Sequence, residues 1–233
     1  MLPVMVPEII QAAFGAESRR LAEVVAGVDD AAFARPTPCP PWTVADLVYH
    51  VGMTMRRLPG MLDAPEPAGP VLVSAAEYYR PDQRFSAATN ADRIESAQRG
   101  AAALAGASAR AGDFGEARQR AWEALRSAPP GRVVRTRHGD FMLLAEFLRT
   151  RVLELAVHGL DLAAALEHQP WMTGEAADVT EDLLLPSEAA ARLRAVTGWD
   201  QVTLIAGLTG RRPLTPDQTR LIRSAGVGWL ALG

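Results

Sequence analysis

The segment from residue 140 to residue 167 constrains the fold more than any other part of the chain. It contains the run FMLLAEFLRTRVLELAVHGLDLAAAL, whose apolar side chains occupy almost every face of a helix. A helix that is apolar all round is buried among other elements rather than lying on a surface. The chain has 233 residues, of which 48% are hydrophobic, and this is enough to build a core around such a helix. The sequence therefore predicts a helical bundle with this segment inside it.

A second helix has a clear beginning in the sequence. The proline-rich run 35–41 predicts an extended loop, because each proline ring fixes φ. Thr43 follows it as an N-cap, and Asp46 lies three residues later, at the position that completes a capping box. The helix is expected to end at about Leu58, because Pro59 comes next and proline removes a backbone hydrogen bond from a helix.

Two more helices and two connecting segments complete the predicted bundle. Apolar residues at three- and four-residue steps predict a helix over residues 7–28. Another helix, rich in Ala and Gly, is expected over residues 90–127 with a break near Gly112. Residues 59–88 are rich in Pro and Gly and predict a long surface excursion. Residues 132–138 read as a short β-prone connector.

The chain divides into two predicted domains. Four long helices over residues 1–168 are typical of a bundle, in which metal sites form between facing helices. The composition changes near Gln169, and residues 169–233 read as a short C-terminal helical appendage. The fold class predicted from the sequence is therefore mainly all-α: a four-helix bundle with an appendage.

Charge and cysteine content exclude several classes of protein. The net charge is −3 and the basic residues are scattered, so no nucleic-acid partner is expected. Cys39 is the only cysteine, which excludes internal disulfides, thiolate zinc ribbons and iron–sulfur sites. The first residues have no basic n-region, and no apolar run of about 18 residues follows. We therefore expect a cytoplasmic protein with no membrane partner.

Five polar residues interrupt the apolar helix over 140–167 on one face. At about 100° per residue they share a single arc, which holds Thr150, Arg151, Glu154, His158 and Asp161. A buried carboxylate or imidazole is costly unless it is paired or bound to a metal. Glu154 and His158 are spaced i, i+4, so their side chains can reach one ion. The alternative, an ion pair between Glu154 and Arg151 with His158 as a hydrogen-bonded core residue, stays open at this stage.

A third metal ligand should come from another helix. His50 is the best candidate among the remaining histidines, because it lies in the predicted helix over 44–58. The spacing places it at the flank of that helix's apolar face and does not settle its role. His138 and His168 fall in predicted connectors, where a solvated side chain is expected. Cys39 is flanked by prolines, which favours a structural role over that of a nucleophile.

Two stretches resemble a known family. The segments PTPCPPWTVADLVYHVG and LRTRVLELAVHGLDLAAAL are similar to the signature stretches of the mycothiol-dependent maleylpyruvate isomerase family, within the DinB-like superfamily of metal-binding helical bundles. The resemblance covers about residues 7–168. A third stretch, GWDQVTLIAGLTGRRPLT, resembles the short tail of many members. Pro41 departs from the pattern, since the family usually has Gly before the tryptophan.

The resemblance implies a fold, a metal and a co-substrate. The fold would be a DinB-like four-helix bundle, with His50, Glu154 and His158 holding a divalent metal, zinc being favoured. Two histidines and a glutamate are a ligand set of catalytic zinc with an open fourth position. The implied co-substrate is mycothiol, whose thiol would be deprotonated on zinc and attack a small electrophilic substrate. The implied activity is that of a thiol S-transferase or isomerase.

Four further residues are candidates for supporting roles. Asp161 and Arg151 would orient the ligands or hold an anionic substrate in the catalytic site. Arg211 and Arg212 are candidates for binding a substrate carboxylate at the mouth of the bundle, although adjacent arginines in a turn are usually solvated.

Two other functions use the same ligands. One is a metal-dependent hydrolase with zinc-bound water, and the other is a non-catalytic metal-binding bundle. The residues do not separate these from a thiol transferase, which only the resemblance favours. The expected partners are a small-molecule thiol and an electrophile, and the chain is expected to be a monomer or a homodimer.

Overall fold

A computed structural model describes residues 8–69, 71–80, 82, 86–129 and 131–227. The described residues form eleven helices and one two-stranded hairpin, and 68% of these residues are helical. In chain order the elements are α1 (Glu8–Ala26), α2 (Asp30–Phe33), α3 (Val44–Asp63), α4 (Ala75–Tyr78), α5 (Ala87–Ala102), α6 (Gly106–Arg126), β1 (Val133–Arg135), β2 (Phe141–Leu143), α7 (Leu144–Ala165), α8 (Gly174–Leu184), α9 (Ser187–Thr197), α10 (Gln201–Leu208) and α11 (Pro216–Ser224).

Four of these helices form the bundle. Helices α1 and α3 each pack against both α6 and α7, so the four helices enclose one core. Helix α7 is buried along most of its length, as its apolar sequence requires. The predicted mainly helical, DinB-like bundle is confirmed. None of the described helices combines the length and hydropathy that a membrane crossing requires.

Helix α3 begins where the sequence predicts and ends later. Thr43 is its N-cap, and both hydrogen bonds of the capping box with Asp46 are present. The predicted end at Leu58 is wrong, because α3 continues through Pro59 to Asp63. A proline ring holds φ at a value that suits a helix, but inside a helix it removes one backbone hydrogen bond and crowds the carbonyl four residues earlier. Helix α3 continues despite both effects.

The predicted helix over residues 90–127 is two helices. Residues 103–105 separate α5 from α6. The predicted break near Gly112 is wrong, because Gly112 lies inside α6. The first residue of α6, Gly106, has φ +83, a conformation that L side chains rarely adopt. The turn therefore forms at the glycine with positive φ, while the other glycine is accommodated as ordinary helix.

The short β-hairpin precedes α7. Strands β1 and β2 pair antiparallel, with Val133 opposite Leu143. Helix α7 therefore begins at Leu144 rather than at residue 140, because residues 141–143 form the second strand. The excursion over residues 59–88 is attached to this region, since the Val73 N–H donates to the Phe141 carbonyl over 2.8 Å.

The C-terminal helices build a second apolar cluster. Helix α8 packs against α1 and α7 of the bundle and also against α9 and α10. The side chain of Glu17 on α1 accepts hydrogen bonds from the Thr173 N–H over 2.8 Å and the Thr173 hydroxyl over 2.7 Å. The predicted domain boundary after residue 168 stays a prediction. Residue 7, Pro130 and residues 228–233, which carried parts of the predicted elements, lie outside the described residues.

Candidate metal centre

Three side chains from two helices converge inside the bundle. Glu154 and His158 lie one turn apart on α7, and His50 faces them from α3. The His158 Nε2 is 3.4 Å from the Glu154 Oε2, and the His50 Nε2 is 3.8 Å from the same oxygen. One ligand atom from each residue lies within 4.8 Å of the other two. Ligands of a tetrahedral zinc ion, with bonds near 2.1 Å, are about 3.4 Å apart, so this donor set fits a divalent metal.

The start of α3 and a neighbouring ring hold His50 in this position. The capping box at Thr43 fixes where the helix begins, and His50 follows two turns later. The Trp42 indole packs against the His50 imidazole, with 4.6 Å between ring centroids. His50 is buried, and its Nδ1 has no hydrogen-bond partner among the described residues. The other ring nitrogen of His50, Nε2, faces Glu154.

Asp161 orients the second imidazole. Its Oδ2 lies 2.9 Å from the His158 Nδ1, which leaves the Nε2 directed toward Glu154. A carboxylate on the outer nitrogen of a histidine is the usual partner of a metal-ligating imidazole, because it fixes the tautomer and the ring orientation. Asp161 is itself held by two bonds from Arg211, at 3.1 Å each, and by the Cys39 thiol at 3.2 Å.

Glu154 is oriented by a residue from the surface excursion. The Tyr79 hydroxyl lies 3.1 Å from the Glu154 Oε1 and 3.0 Å from the Thr150 carbonyl, which leaves Oε2 facing both imidazoles. Arg151 makes no ion pair with Glu154 within the described part of the chain. Its Nε donates to the Thr150 hydroxyl over 3.1 Å, and its guanidinium lies 4.8 Å from the centre of the Phe147 ring.

The protonation states follow from burial and from these contacts. Burial lowers the pKa of His50 to about 4, so this imidazole is neutral at neutral pH. Burial acts in the same direction on His158, but hydrogen bonds with Asp161, Cys39 and Glu154 outweigh it and raise its pKa well above the ordinary value.

Both carboxylates are ionised. Burial alone would raise the pKa of Glu154, but hydrogen bonds from His158 and His50 hold it well below its usual range. Burial likewise opposes the ionisation of Asp161, yet His158 and Arg211 lower its pKa to about 2. The site therefore presents fixed negative charge to the proton on His158, and a divalent cation that binds there must displace this proton.

Two cavities meet near the site. The smaller, of about 100 Å³, is lined by all three residues of the triad together with several aromatic and cationic side chains. The larger, of about 720 Å³, is lined by Cys39, Asp161, His168 and Arg211, among others. Trp42 lines both cavities. The proposed metal ligands thus face the smaller cavity, and their supporting carboxylate faces the larger one.

The two arginines expected at the bundle mouth occupy different environments. Arg211 lines the larger cavity, but its guanidinium bonds to Asp161 and, over 2.7 Å, to the Thr209 carbonyl. Arg212 is exposed and stacks over the Trp199 ring at 5.2 Å from its centre. Their predicted role in binding substrate stays a prediction.

Several residues at the site were not singled out by the sequence. Tyr79, Arg57 and Arg137 all line the smaller cavity. Of these three, only Arg57 could have been found from the sequence. It follows His50 by seven residues, a spacing that places both on the same face of α3. Tyr79 and Arg137 come from irregular segments, in which spacing along the chain carries no information about facing.

Residues 14–163 match the family model described as the mycothiol maleylpyruvate isomerase N-terminal domain. The chain belongs to this family. No curated protein and no solved structure matches the chain. The family match includes His50, Glu154, His158 and Asp161, and it ends before Arg211. The family therefore covers the whole candidate triad, while the arginine that holds Asp161 is supplied by the segment that follows.

Proposed function

We propose that the chain is a metal-dependent thiol S-transferase or isomerase that uses mycothiol, with zinc held by His50, Glu154 and His158. The observation that carries the proposal is the convergence of these three ligand atoms within 4.8 Å, in a chain of the mycothiol maleylpyruvate isomerase N-terminal domain family. A divalent metal bound there supplies Lewis acidity, which lowers the pKa of a thiol that reaches its open position.

The chain's own residues then have separate tasks. Asp161 holds the His158 ring, and Tyr79 holds the Glu154 carboxylate, so the ligand atoms keep their positions without further rearrangement. Trp42 packs against the His50 ring and helps to hold it in place. Arg151, buried at the edge of the same cavity, contributes a positive charge that favours anionic species.

The proposed reaction forms a bond between the thiol sulfur and an electrophilic carbon. The thiol proton leaves to solvent, and the pair of electrons on sulfur forms the new bond. In a transferase the sulfur displaces a leaving group from the carbon, such as the bromide of monobromobimane, and the product is a stable thioether. In an isomerase the thiol adds to a conjugated double bond and is later eliminated, so the thiol is regenerated while the double bond changes geometry.

The metal is tested first, by elemental analysis of protein purified without added metal. The wild type is expected to carry about one equivalent of a divalent metal, and His50→Ala and Glu154→Gln are expected to carry much less. Their circular dichroism should match that of the wild type, because apolar packing holds α7. His168→Ala is the matched control, since this histidine lines the other cavity. Equal metal in the wild type and in both ligand variants would contradict the assignment.

The thiol is tested with a general electrophile such as monobromobimane. Conjugation to mycothiol is expected to be fast and conjugation to glutathione slow, because glutathione lacks the sugar portion. The rate should stay flat below the free thiol pKa of about 8.5. A rate that follows the free thiolate fraction, or that persists in His158→Ala, would favour the hydrolase or the non-catalytic alternative.

A further inference from the structure

The smaller cavity is lined by more positive charge than the triad requires. Arg57 comes from α3, Arg137 from the turn of the hairpin and Arg151 from α7, and all three line this cavity beside the metal ligands. These elements are far apart in sequence, so the fold itself brings the guanidinium groups together. Arg93 lines the same cavity.

These arginines differ from others in the chain in what they contact. The neighbouring Arg56 is paired with Asp113, and Arg149 is paired with Asp182 at 2.6 Å. Arg57, Arg137 and Arg151 form no ion pair with any carboxylate that the structure describes. A cluster of like charges that outnumbers its counter-charges is unfavourable, and a bound anion is a common way to neutralise it.

The charge balance of the cavity points the same way. Glu154 is the one carboxylate among the described lining residues, and two imidazoles already face it. Burial and the positive charge of the neighbouring arginines lower the pKa of Arg57 and of Arg137. Burial would lower the pKa of Arg151 as well, but Tyr78, Tyr79 and Glu154 raise it above its ordinary value. The cavity therefore carries more positive than negative charge.

We propose that Arg57, Arg137 and Arg151 form a subsite for a carboxylate group of the electrophilic substrate, next to the metal ligands. The planar guanidinium group matches a carboxylate with two parallel hydrogen bonds. A cavity of about 100 Å³ holds several water molecules, which is the size of a small carboxylic acid rather than of a sugar conjugate. The term substrate rests on the proposed function, but the binding of the anion does not.

The test is calorimetric titration of succinate into the zinc-loaded protein, without thiol or electrophile. Succinate is expected to bind, and its neutral analogue succinamide is not. Inorganic phosphate is expected to bind more weakly than succinate, and tighter binding of phosphate would overturn the assignment to a carboxylate. Because no reaction takes place in this assay, a protein that binds succinate yet fails to conjugate mycothiol would refute the proposed function and leave the subsite intact.

Two variants and one control locate the subsite. Arg57→Gln and Arg137→Gln are each expected to weaken succinate binding by about tenfold or more, the loss typical of one charged hydrogen-bond donor. Arg19→Gln removes an exposed charge on α1 and is expected to change nothing. Metal content and circular dichroism check that each variant is folded, and Arg137 is exposed enough to tolerate the change. Succinate that merely ligates the metal would bind both variants as tightly as the wild type, and this outcome would overturn the proposal.

Discussion

Replacing Arg211 by glutamine tests whether this residue supports the metal centre or binds substrate. The Arg211 guanidinium donates two hydrogen bonds of 3.1 Å to the Asp161 carboxylate. The arginine side chain is 14% exposed and that of the aspartate 1% exposed. Removing one partner of a buried ion pair costs about 3–5 kcal/mol, because the other charge stays buried. Asp161 retains His158 as a second partner, so we expect Arg211→Gln to lower the free energy of unfolding by about 3 kcal/mol, at the lower end of this range.

The adjacent residue provides a matched control. Arg212 is exposed, and its contact within the described residues is the Trp199 ring at 5.2 Å. An exposed cation–π contact contributes about 0.5–1 kcal/mol, so Arg212→Gln should lower the free energy of unfolding by at most that amount. The two substitutions remove the same group at neighbouring positions, and they differ chiefly in whether a buried carboxylate loses its partner.

Urea unfolding and thermal unfolding, both followed by circular dichroism, measure the stability of the two variants. For a chain of this size, about 3 kcal/mol corresponds to a fall in Tm of roughly 6–12 °C. Metal affinity should also fall for Arg211→Gln, by up to about tenfold, since Asp161 then holds His158 less firmly. If Arg211→Gln is no less stable than Arg212→Gln and only the KM for an anionic substrate rises, the structural role is refuted and the substrate-binding prediction is supported.

Two other predictions concern the scaffold. Burial raises the pKa of Glu17 above its ordinary value of 4.5. The wild type should therefore lose stability relative to Glu17→Gln as the pH rises from 4.5 through the folded-state pKa. Urea unfolding at several pH values measures the difference in stability, and a difference that does not change with pH would contradict the prediction. A methyl group at Gly100 would overlap the Tyr49 ring, whereas Gly112 has open space around it. Gly100→Ala is therefore expected to lower the free energy of unfolding by about 1–3 kcal/mol, and Gly112→Ala to raise it by about 0.5–1 kcal/mol. Thermal unfolding measures both changes.

Local patterns in the sequence located the buried helix, the start of α3 and two of the three residues of the triad. The apolar character of residues 141–166 required a buried helix, and the i, i+4 spacing of Glu154 and His158 placed both on one face of it. The capping box at Thr43 located the start of α3. Local rules failed at Pro59 and near Gly112, because tertiary packing can override the helix-breaking preferences of proline and glycine.

The contacts that complete the site depend on how the helices pack. The sequence made His50 the best candidate to join Glu154 and His158, but its spacing did not settle that role. The packing of α3 against α7 brings His50 to them. Arg211 reaches Asp161 across 50 residues of chain, and Tyr79 reaches Glu154 across 75. Periodicity describes neighbours on one element, since it arises from the backbone repeat of that element. Which elements face each other is decided by the burial of their apolar surfaces, and the partners of the buried charges are settled at that step.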